Sequence, residues 1–199
     1  MGRSASPSRR ARALSVVLVT LSLLCFALVP TPSLADNNKI FDANDRGKEY
    51  IAKMKSRNLP AEANWVSFDE ALKNAKTNLK PILVFFAQPW CEACKKFKQT
   101  LKKYYTSEFV EMSKRFNVVN VEDDADMPRK LAEAKFSLDG QYYPRMFLLD
   151  PYGKIDVSLK GVFDDELENQ YAYESPKDLL RNMAKLAERW EPVQPKEDL

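Results

Sequence analysis

The sequence contains no histidine and few cysteines, and these two absences exclude several kinds of active site. Without histidine there is no Ser–His or Cys–His hydrolase and no histidine general base. The three cysteines are Cys25, Cys91 and Cys94. A structural zinc site takes four nitrogen or sulfur ligands, and this set is too small to supply them. We therefore expect no metal site.

Residues 1–35 have the composition of a secretory signal peptide. A basic start is followed by an apolar run, Leu14 to Val29, and by the small residues that precede a cleavage site, Ser33-Leu34-Ala35. We predict cleavage after Ala35, which removes Cys25 and leaves no membrane attachment. A membrane anchor is the alternative, but the run is short of the roughly 20 apolar residues that a spanning helix needs.

The net charge of +3 comes from this leader. Arginines are the only charged residues in residues 1–35, and without them the chain has 27 basic and 28 acidic residues, a net charge of −1. Proteins that bind nucleic acid generally carry a basic surface. We therefore expect no nucleic-acid partner.

The motif with the clearest chemistry is Cys91-Glu92-Ala93-Cys94. It follows an apolar run at residues 82–87 and precedes a helical pattern, so Cys91 is predicted to lie between a buried strand and a helix. Unpaired N–H groups at a helix N-terminus favour a thiolate, which is the nucleophilic form of cysteine. The spacing lets Cys94 reach Cys91. The motif therefore indicates thiol–disulfide exchange, because a structural bridge across so small a loop would constrain the unfolded chain little.

Apolar periodicity predicts helices and strands in an α/β order, with the motif at the carboxyl end of a central strand. The predicted helices are 67–78, the segment after Cys91, 107–114, 125–136 and a last helix capped by Ser175. The predicted strands are 82–87, 116–121, 146–149 and 154–159, the last two forming a hairpin. The helix after Cys91 is expected to expose its lysines, including Lys98, and the acidic run 122–124 to form a solvated loop.

Several stretches resemble a family of small thioredoxin-like proteins of the endoplasmic reticulum. The family includes thioredoxin domain-containing protein 12 and the anterior gradient proteins. The stretches that carry the resemblance are Lys80–Val84, Trp90–Lys95, Val119–Asp123, Asp139–Arg145 and Leu149–Lys154. The resemblance implies an α/β thioredoxin fold, with a central mixed sheet flanked by helices, over residues 62–190. Residues 36–61 would then be an N-terminal extension and 191–199 a disordered tail.

The resemblance also implies roles for the site residues. Cys91 would be the attacking thiolate, Cys94 the more buried resolving thiol, and Pro144 a cis-proline facing their disulfide. Trp90 and Tyr143 would contact the substrate alongside Pro144. No cofactor is implied beyond the redox-active Cys91–Cys94 pair.

Two positions depart from the family pattern. Thioredoxins and disulfide isomerases carry a buried acid six residues before the first cysteine, where this sequence has Phe85. Proton transfer to and from Cys94 would then need water or another group. Glu92 adds negative charge beside Cys91 and should raise its pKa, whereas Lys95 and the helix N-terminus oppose that effect. We expect a weaker oxidant than the disulfide isomerases.

The leading hypothesis is a protein thiol–disulfide oxidoreductase that acts on secretory client proteins. The alternative is a non-catalytic, client-binding module of the anterior gradient type, and a third is a thioredoxin fold with an inert structural disulfide. The terminal Lys196-Glu197-Asp198-Leu199 resembles an endoplasmic-reticulum retention signal with its two acids exchanged. We therefore expect a lumenal protein that is partly secreted. A homodimer is compatible with the resemblance.

Overall fold

A mixed sheet of three short strands lies at the centre of this computed structural model, which describes residues 43–161 and 169–190. The strands are β1 (Ile82–Phe86), β2 (Asn117–Val121) and β3 (Arg145–Leu149). β1 is central, parallel to β2 and antiparallel to β3. All their residues are buried, as continuous apolar runs predict. The predicted leader and tail lie outside the described residues.

Six helices accompany the sheet within the described ranges. They are α1 (Ala43–Ser56), α2 (Phe68–Asn78), α3 (Glu92–Tyr104), α4 (Thr106–Ser113), α5 (Arg129–Phe136) and α6 (Pro176–Trp190). The capping box predicted at the start of α2 is present, because the Glu70 N–H donates to Ser67 Oγ at 3.2 Å and the Ser67 N–H donates to the Glu70 carboxylate at 3.1 Å.

Alternation along β1 divides the core into two layers. Leu83, Phe85 and Ala87 pack with residues of α1, α3, α4 and α6, and we call this side the cysteine face because Cys91 and Cys94 lie in it. The neighbouring β1 side chains point the other way and pack with α2 and α5. We call that side the aromatic face, after the ring cluster at its centre.

The predicted N-terminal extension contributes to this core where it is described. Met54 of α1 and Leu59 are buried in the same cluster as Leu83 and Phe85. Helix α1 is therefore docked against the cysteine face.

The predicted hairpin after β3 was wrong in its second half. Only Ile155 pairs with β3, through an isolated bridge to Leu149. The Asp156 carboxylate instead accepts a hydrogen bond from the Ser158 N–H at 3.0 Å. This local turn competes with ladder pairing and ends the strand after a single bridge.

No helix among residues 43–161 and 169–190 has both the length and the apolar character that crossing a membrane requires.

Candidate redox site

The cysteine pair lies where β1 leads into α3, as the sequence predicts. Cys91 is the N-cap residue of α3, and its sulfur accepts a hydrogen bond from the Cys94 N–H at 3.1 Å. The two cysteines form a disulfide with Cα atoms 5.2 Å apart. Cys91 is 7% exposed and Cys94 is 1% exposed, so the second sulfur is the more buried, as expected. Cys91 therefore occupies a helix N-terminus, a position that in general favours the thiolate form of a cysteine.

The loop before β3 faces this pair. The Tyr143–Pro144 peptide bond is cis, the geometry that the family resemblance implies. Cys91 Sγ lies 3.5 Å from the Tyr143 carbonyl oxygen, although the two residues are 52 positions apart in the chain. Pro144 is buried, whereas Tyr143 is half-buried. Both residues therefore adjoin the sulfur that would meet a substrate.

A buried arginine anchors the start of β3 beneath this loop. Arg145 donates from Nη1 to the carbonyl oxygens of Phe136 and Gly140, at 3.0 and 2.9 Å. Its guanidinium lies 5.0 Å from the Phe86 ring centroid and 5.5 Å from that of Tyr143. These contacts fix the direction in which the chain passes from the loop into β3.

A tyrosine–aspartate contact fixes the other end of the loop. The Tyr142 hydroxyl donates to Asp139 Oδ2 at 2.7 Å and accepts from the Tyr171 N–H at 2.8 Å. Burial and the Asp139 carboxylate raise the pKa of Tyr142 above its ordinary value. Tyr142 therefore remains a neutral hydrogen-bond donor at physiological pH.

The remaining predicted site residues lie on the outer side of the cysteine pair. Trp90 is 70% exposed and makes an edge-on contact with Tyr143, with ring centroids 5.9 Å apart. Glu92 and Lys95, predicted to tune the thiolate in opposite directions, form an exposed ion pair with each other at 2.6 Å. Exposed ion pairs are screened by water and salt, and the tuning of Cys91 by these two residues stays a prediction.

Phe85 lies six residues before Cys91, the interior position at which an acid was expected by analogy with thioredoxins and disulfide isomerases. It is 1% exposed, and its ring packs edge-on against Phe97 of α3 at 5.6 Å between centroids. Phe85 and Cys94 belong to the same buried apolar cluster.

Two expectations about charged residues near the site were wrong. Lys98 is 5% exposed rather than solvated, and Glu122, expected in a solvated loop, is 8% exposed. The Lys98 ammonium donates to Glu122 Oε1 in a buried ion pair. Asp123 and Asp124 of the same acidic run are exposed as expected.

Sequence signals for this buried pair exist in hindsight. Lys98 is four residues after Cys94, a spacing that puts both on one side of a helix. Glu122 continues the alternation of Val118 and Asn120 along β2, which places it on the cysteine face. A cluster of five lysines in α3 concealed the first signal, and the acidic run concealed the second.

Within residues 43–161 and 169–190, no group of three or more cysteine, aspartate or glutamate side chains is arranged to hold a metal ion.

Comparison with known proteins agrees with this geometry. A family described as thioredoxin-like matches residues 64–151. Anterior gradient protein 3 of Xenopus tropicalis is 27% identical over 134 residues, which cover 65% of this chain and 75% of that protein. The human anterior gradient protein 2 homolog is 30% identical over 124 residues, 60% of this chain and 63% of that protein.

The chain is therefore similar to thioredoxin-like proteins and, among named relatives, to the anterior gradient proteins. Among solved structures, the disulphide isomerase from Xylella fastidiosa Temecula1 is 23% identical and covers 59% of this chain and 86% of its own, with a TM-score of 0.40. Residues 64–151 contain the central sheet, both cysteines and the cis-proline. The match to the thioredoxin-like family therefore spans the whole candidate site.

Proposed function

We propose that this protein is a thiol–disulfide oxidoreductase that exchanges disulfides with client proteins of the secretory pathway through Cys91 and Cys94. The observation that carries the proposal is the position of Cys91 Sγ. It accepts the Cys94 N–H at the start of α3 and lies 3.5 Å from the Tyr143 carbonyl oxygen. One side of the sulfur thus favours a thiolate, and the other adjoins a polar backbone edge on which an extended client segment can pair.

The reaction proceeds in two exchange steps. In the reducing direction the Cys91 thiolate attacks one sulfur of a client disulfide, which breaks that bond and releases the other client sulfur as a thiolate. Cys94 then loses its proton and attacks Cys91 Sγ, forming the Cys91–Cys94 disulfide and releasing the client. Two electrons pass to the client, and a low-molecular-weight thiol or a second protein dithiol restores the reduced enzyme. The reverse sequence oxidises a client dithiol.

Trp90 and Tyr143 provide the apolar surface beside the reacting sulfur. Trp90 is largely exposed although it is a large apolar side chain, and its ring leans edge-on against Tyr143. Such a pair suits unfolded segments that present aromatic or aliphatic side chains next to their cysteines. The proposed compartment is the endoplasmic-reticulum lumen, on the basis of the leader-like and retention-like sequences at the two ends of the chain.

The test uses the Cys94→Ser variant with Cys91→Ser as its matched control. Cys94→Ser retains the attacking sulfur but cannot resolve, so we expect covalent mixed disulfides with clients that dithiothreitol releases. Cys91→Ser should trap none. If neither variant traps a client and the parent does not reduce a model disulfide, the oxidoreductase proposal fails.

A non-catalytic client-binding module is the second candidate, and the burial of Phe85 where related enzymes have an acid favours it. A binder would retain the same clients after both cysteines are replaced by serine, whereas the enzyme would lose its covalent partners. The reduction potential separates a third case. Equilibration with glutathione should give about −180 to −210 mV for a lumenal redox enzyme, and below about −300 mV for an inert structural disulfide.

A further inference from the structure

The chain just before the cis-proline is tied to the chain just after it through one residue of a distant segment. The Tyr171 N–H donates to the Tyr142 hydroxyl at 2.8 Å, and the Met146 N–H donates to the Tyr171 carbonyl oxygen at 2.8 Å. Tyr142 comes directly before Tyr143, and Met146 follows Pro144 by two residues in β3. Both main-chain polar groups of Tyr171 therefore hold the two ends of the stretch that faces the cysteine pair.

An aspartate completes this arrangement from within the loop before β3. Asp139 Oδ2 accepts from the Tyr142 hydroxyl at 2.7 Å and from the Gln170 N–H at 2.5 Å. Gly140 between them has a φ of +124°, a conformation that favours glycine. This bend brings Asp139 within reach of the side chain three residues later. We call Asp139, Tyr142 and the main chain of Gln170 and Tyr171 the clasp.

The segment to which the clasp is attached is closely packed. Tyr171 is 3% exposed, and its ring packs against Phe147 of β3 with centroids 4.6 Å apart. The Gly161 N–H donates to the Gln170 carbonyl oxygen at 2.7 Å. Gly161 also lies so near Ala172 that a Cβ on it would be 1.6 Å from the Ala172 carbonyl oxygen. The clasp therefore connects the loop to buried chain that has little room to move.

Hydrogen bonds give the clasp a direction that apolar packing lacks. Each bond restricts both a distance and an angle, and a bond to a carboxylate is stronger than one between neutral groups. Burial and the Asp139 carboxylate raise the pKa of Tyr142, so its hydroxyl keeps its proton at the pH values at which thiols react. The clasp therefore restrains the main chain that leads into Tyr143.

That main chain adjoins the sulfur that meets the client. The Tyr143 carbonyl oxygen lies 3.5 Å from Cys91 Sγ, at the edge on which the proposed function has an extended client segment pair. Binding to a preformed edge avoids the entropy loss of ordering that edge during binding. A small disulfide without peptide groups gains nothing from such an edge. A restrained loop should therefore assist peptide clients alone.

We propose that Asp139 and Tyr142 are positioning residues that hold the Tyr143 main chain as a preformed edge, and that they thereby favour peptide disulfides over small-molecule disulfides as substrates. The inference rests on the proposed exchange reaction and adds no chemical step to it. Neither residue exchanges a proton or an electron with the cysteines. Their contribution is to the binding of the client, which precedes attack by Cys91 in the reducing direction.

The test compares two substrates in the parent and in Tyr142→Phe, which keeps the ring and removes the hydroxyl. One substrate is an extended peptide joined by a disulfide to a fluorescent thiol, and the other is hydroxyethyl disulfide. Glutathione regenerates the reduced protein. We expect the KM for the peptide to rise about tenfold, which corresponds to about 1.4 kcal/mol of binding free energy, with kcat within about twofold of the parent. The rate with hydroxyethyl disulfide should stay within about twofold.

Asp139 offers a matched pair of substitutions. Asp139→Asn keeps an oxygen that accepts from the Tyr142 hydroxyl, whereas Asp139→Ala removes it. The KM for the peptide should rise about tenfold in Asp139→Ala and less than about threefold in Asp139→Asn. The control is Tyr152→Phe, which removes the same hydroxyl from a tyrosine that is 68% exposed just after β3. It should leave the KM unchanged.

Two results would overturn the inference while leaving the proposed function intact. One is a parental KM for the peptide in folded Tyr142→Phe. The other is an equal slowing of both substrates per folded molecule, which would mean that the clasp only supports the fold; urea denaturation gives the folded fraction. If Asp139→Ala does not fold, Tyr142→Phe still decides between these outcomes. A parent protein that reduces neither disulfide would instead refute the proposed function, and this inference with it.

Discussion

The two faces of the sheet bury charge in different ways, although the same three strands build both. On the cysteine face, Lys98 and Glu122 pair with each other and adjoin a polar cleft. On the aromatic face, Arg145 donates to main-chain carbonyls and lies over the Phe86 ring. A guanidinium that is always charged and bonded to backbone is a structural anchor. A carboxylate that lines a cleft remains within reach of solvent, so burial alone does not show how a charge is stabilised.

The largest expected effect comes from breaking the aromatic face. Phe136 is fully buried and contacts the rings of Phe68, Phe86 and Phe147, at 5.8, 5.1 and 5.1 Å between centroids. Phe136→Ala should lower the free energy of unfolding by about 3–5 kcal/mol, through lost burial and the cavity left behind. Urea denaturation measures this change. The rate of thiol–disulfide exchange per folded molecule should stay within about twofold of the parent. The substitution changes neither cysteine and removes no group that could supply the roughly 10²–10⁴-fold of general acid–base catalysis.

Leu138→Ala is the control for that comparison, because Leu138 is 53% exposed in the same region. Its effect on the free energy of unfolding should be within about 0.5 kcal/mol. A loss in the free energy of unfolding below about 1.5 kcal/mol for Phe136→Ala would show that the ring cluster of the aromatic face is not tightly packed.

The second effect comes from the charged network below the cysteine face. Asp126 accepts from Lys53 at 2.5 Å and pairs with Arg57 at 2.7 Å, and its side chain is 6% exposed. Burial opposes ionisation, but the hydrogen bonds from Arg57, Lys53 and the Glu122 N–H outweigh it and lower the pKa of Asp126 below the ordinary 3.8. Asp126→Asn should lower the free energy of unfolding at pH 7 by about 2–3 kcal/mol.

The pH dependence of this effect has a definite sign. A depressed carboxyl pKa stabilises the folded state above the unfolded value, and that contribution disappears as pH falls through the folded value. Parent and Asp126→Asn should therefore differ fully above about pH 5 and converge only as pH falls through the lowered pKa of Asp126 in the folded state. Chemical denaturation across this range checks the prediction. The exposed Asp124→Asn is the control, and a difference between parent and Asp126→Asn that persists at the lowest pH would contradict the assignment.

The smallest expected effect on stability comes from Trp90, the exposed aromatic residue beside Cys91. Trp90 is 70% exposed, so Trp90→Ala should change the free energy of unfolding by less than about 0.5 kcal/mol. Loss of an aromatic contact worth about 1 kcal/mol should raise the KM for a peptide disulfide about fivefold. Tyr104→Ala, at the far end of α3 and 64% exposed, should leave KM unchanged. Equal KM values for Trp90→Ala and the parent would remove Trp90 from the client surface.

The sequence predicted the elements with local signals well. The start of α2 follows from the capping box at Ser67 and Glu70, and the position of Cys91 follows from an apolar run ending before a helical pattern. The strand after β3 was mispredicted because Asp156 forms a turn with its own neighbours. That choice between a turn and a ladder depends on whether a partner strand is within reach, which a sequence pattern does not contain.

By itself, the sequence determined which residues could react. Cys91 and Cys94 are three residues apart, they follow a continuous apolar run, and the chain has no histidine that could act in their place. Tertiary structure alone decided their surroundings. Packing brought the Tyr143 carbonyl to Cys91 across 52 residues and removed Lys98 and Glu122 from water. The physical reason is that helix and strand patterns arise from neighbours in the chain. The solvation of a charged side chain depends on every element packed against it.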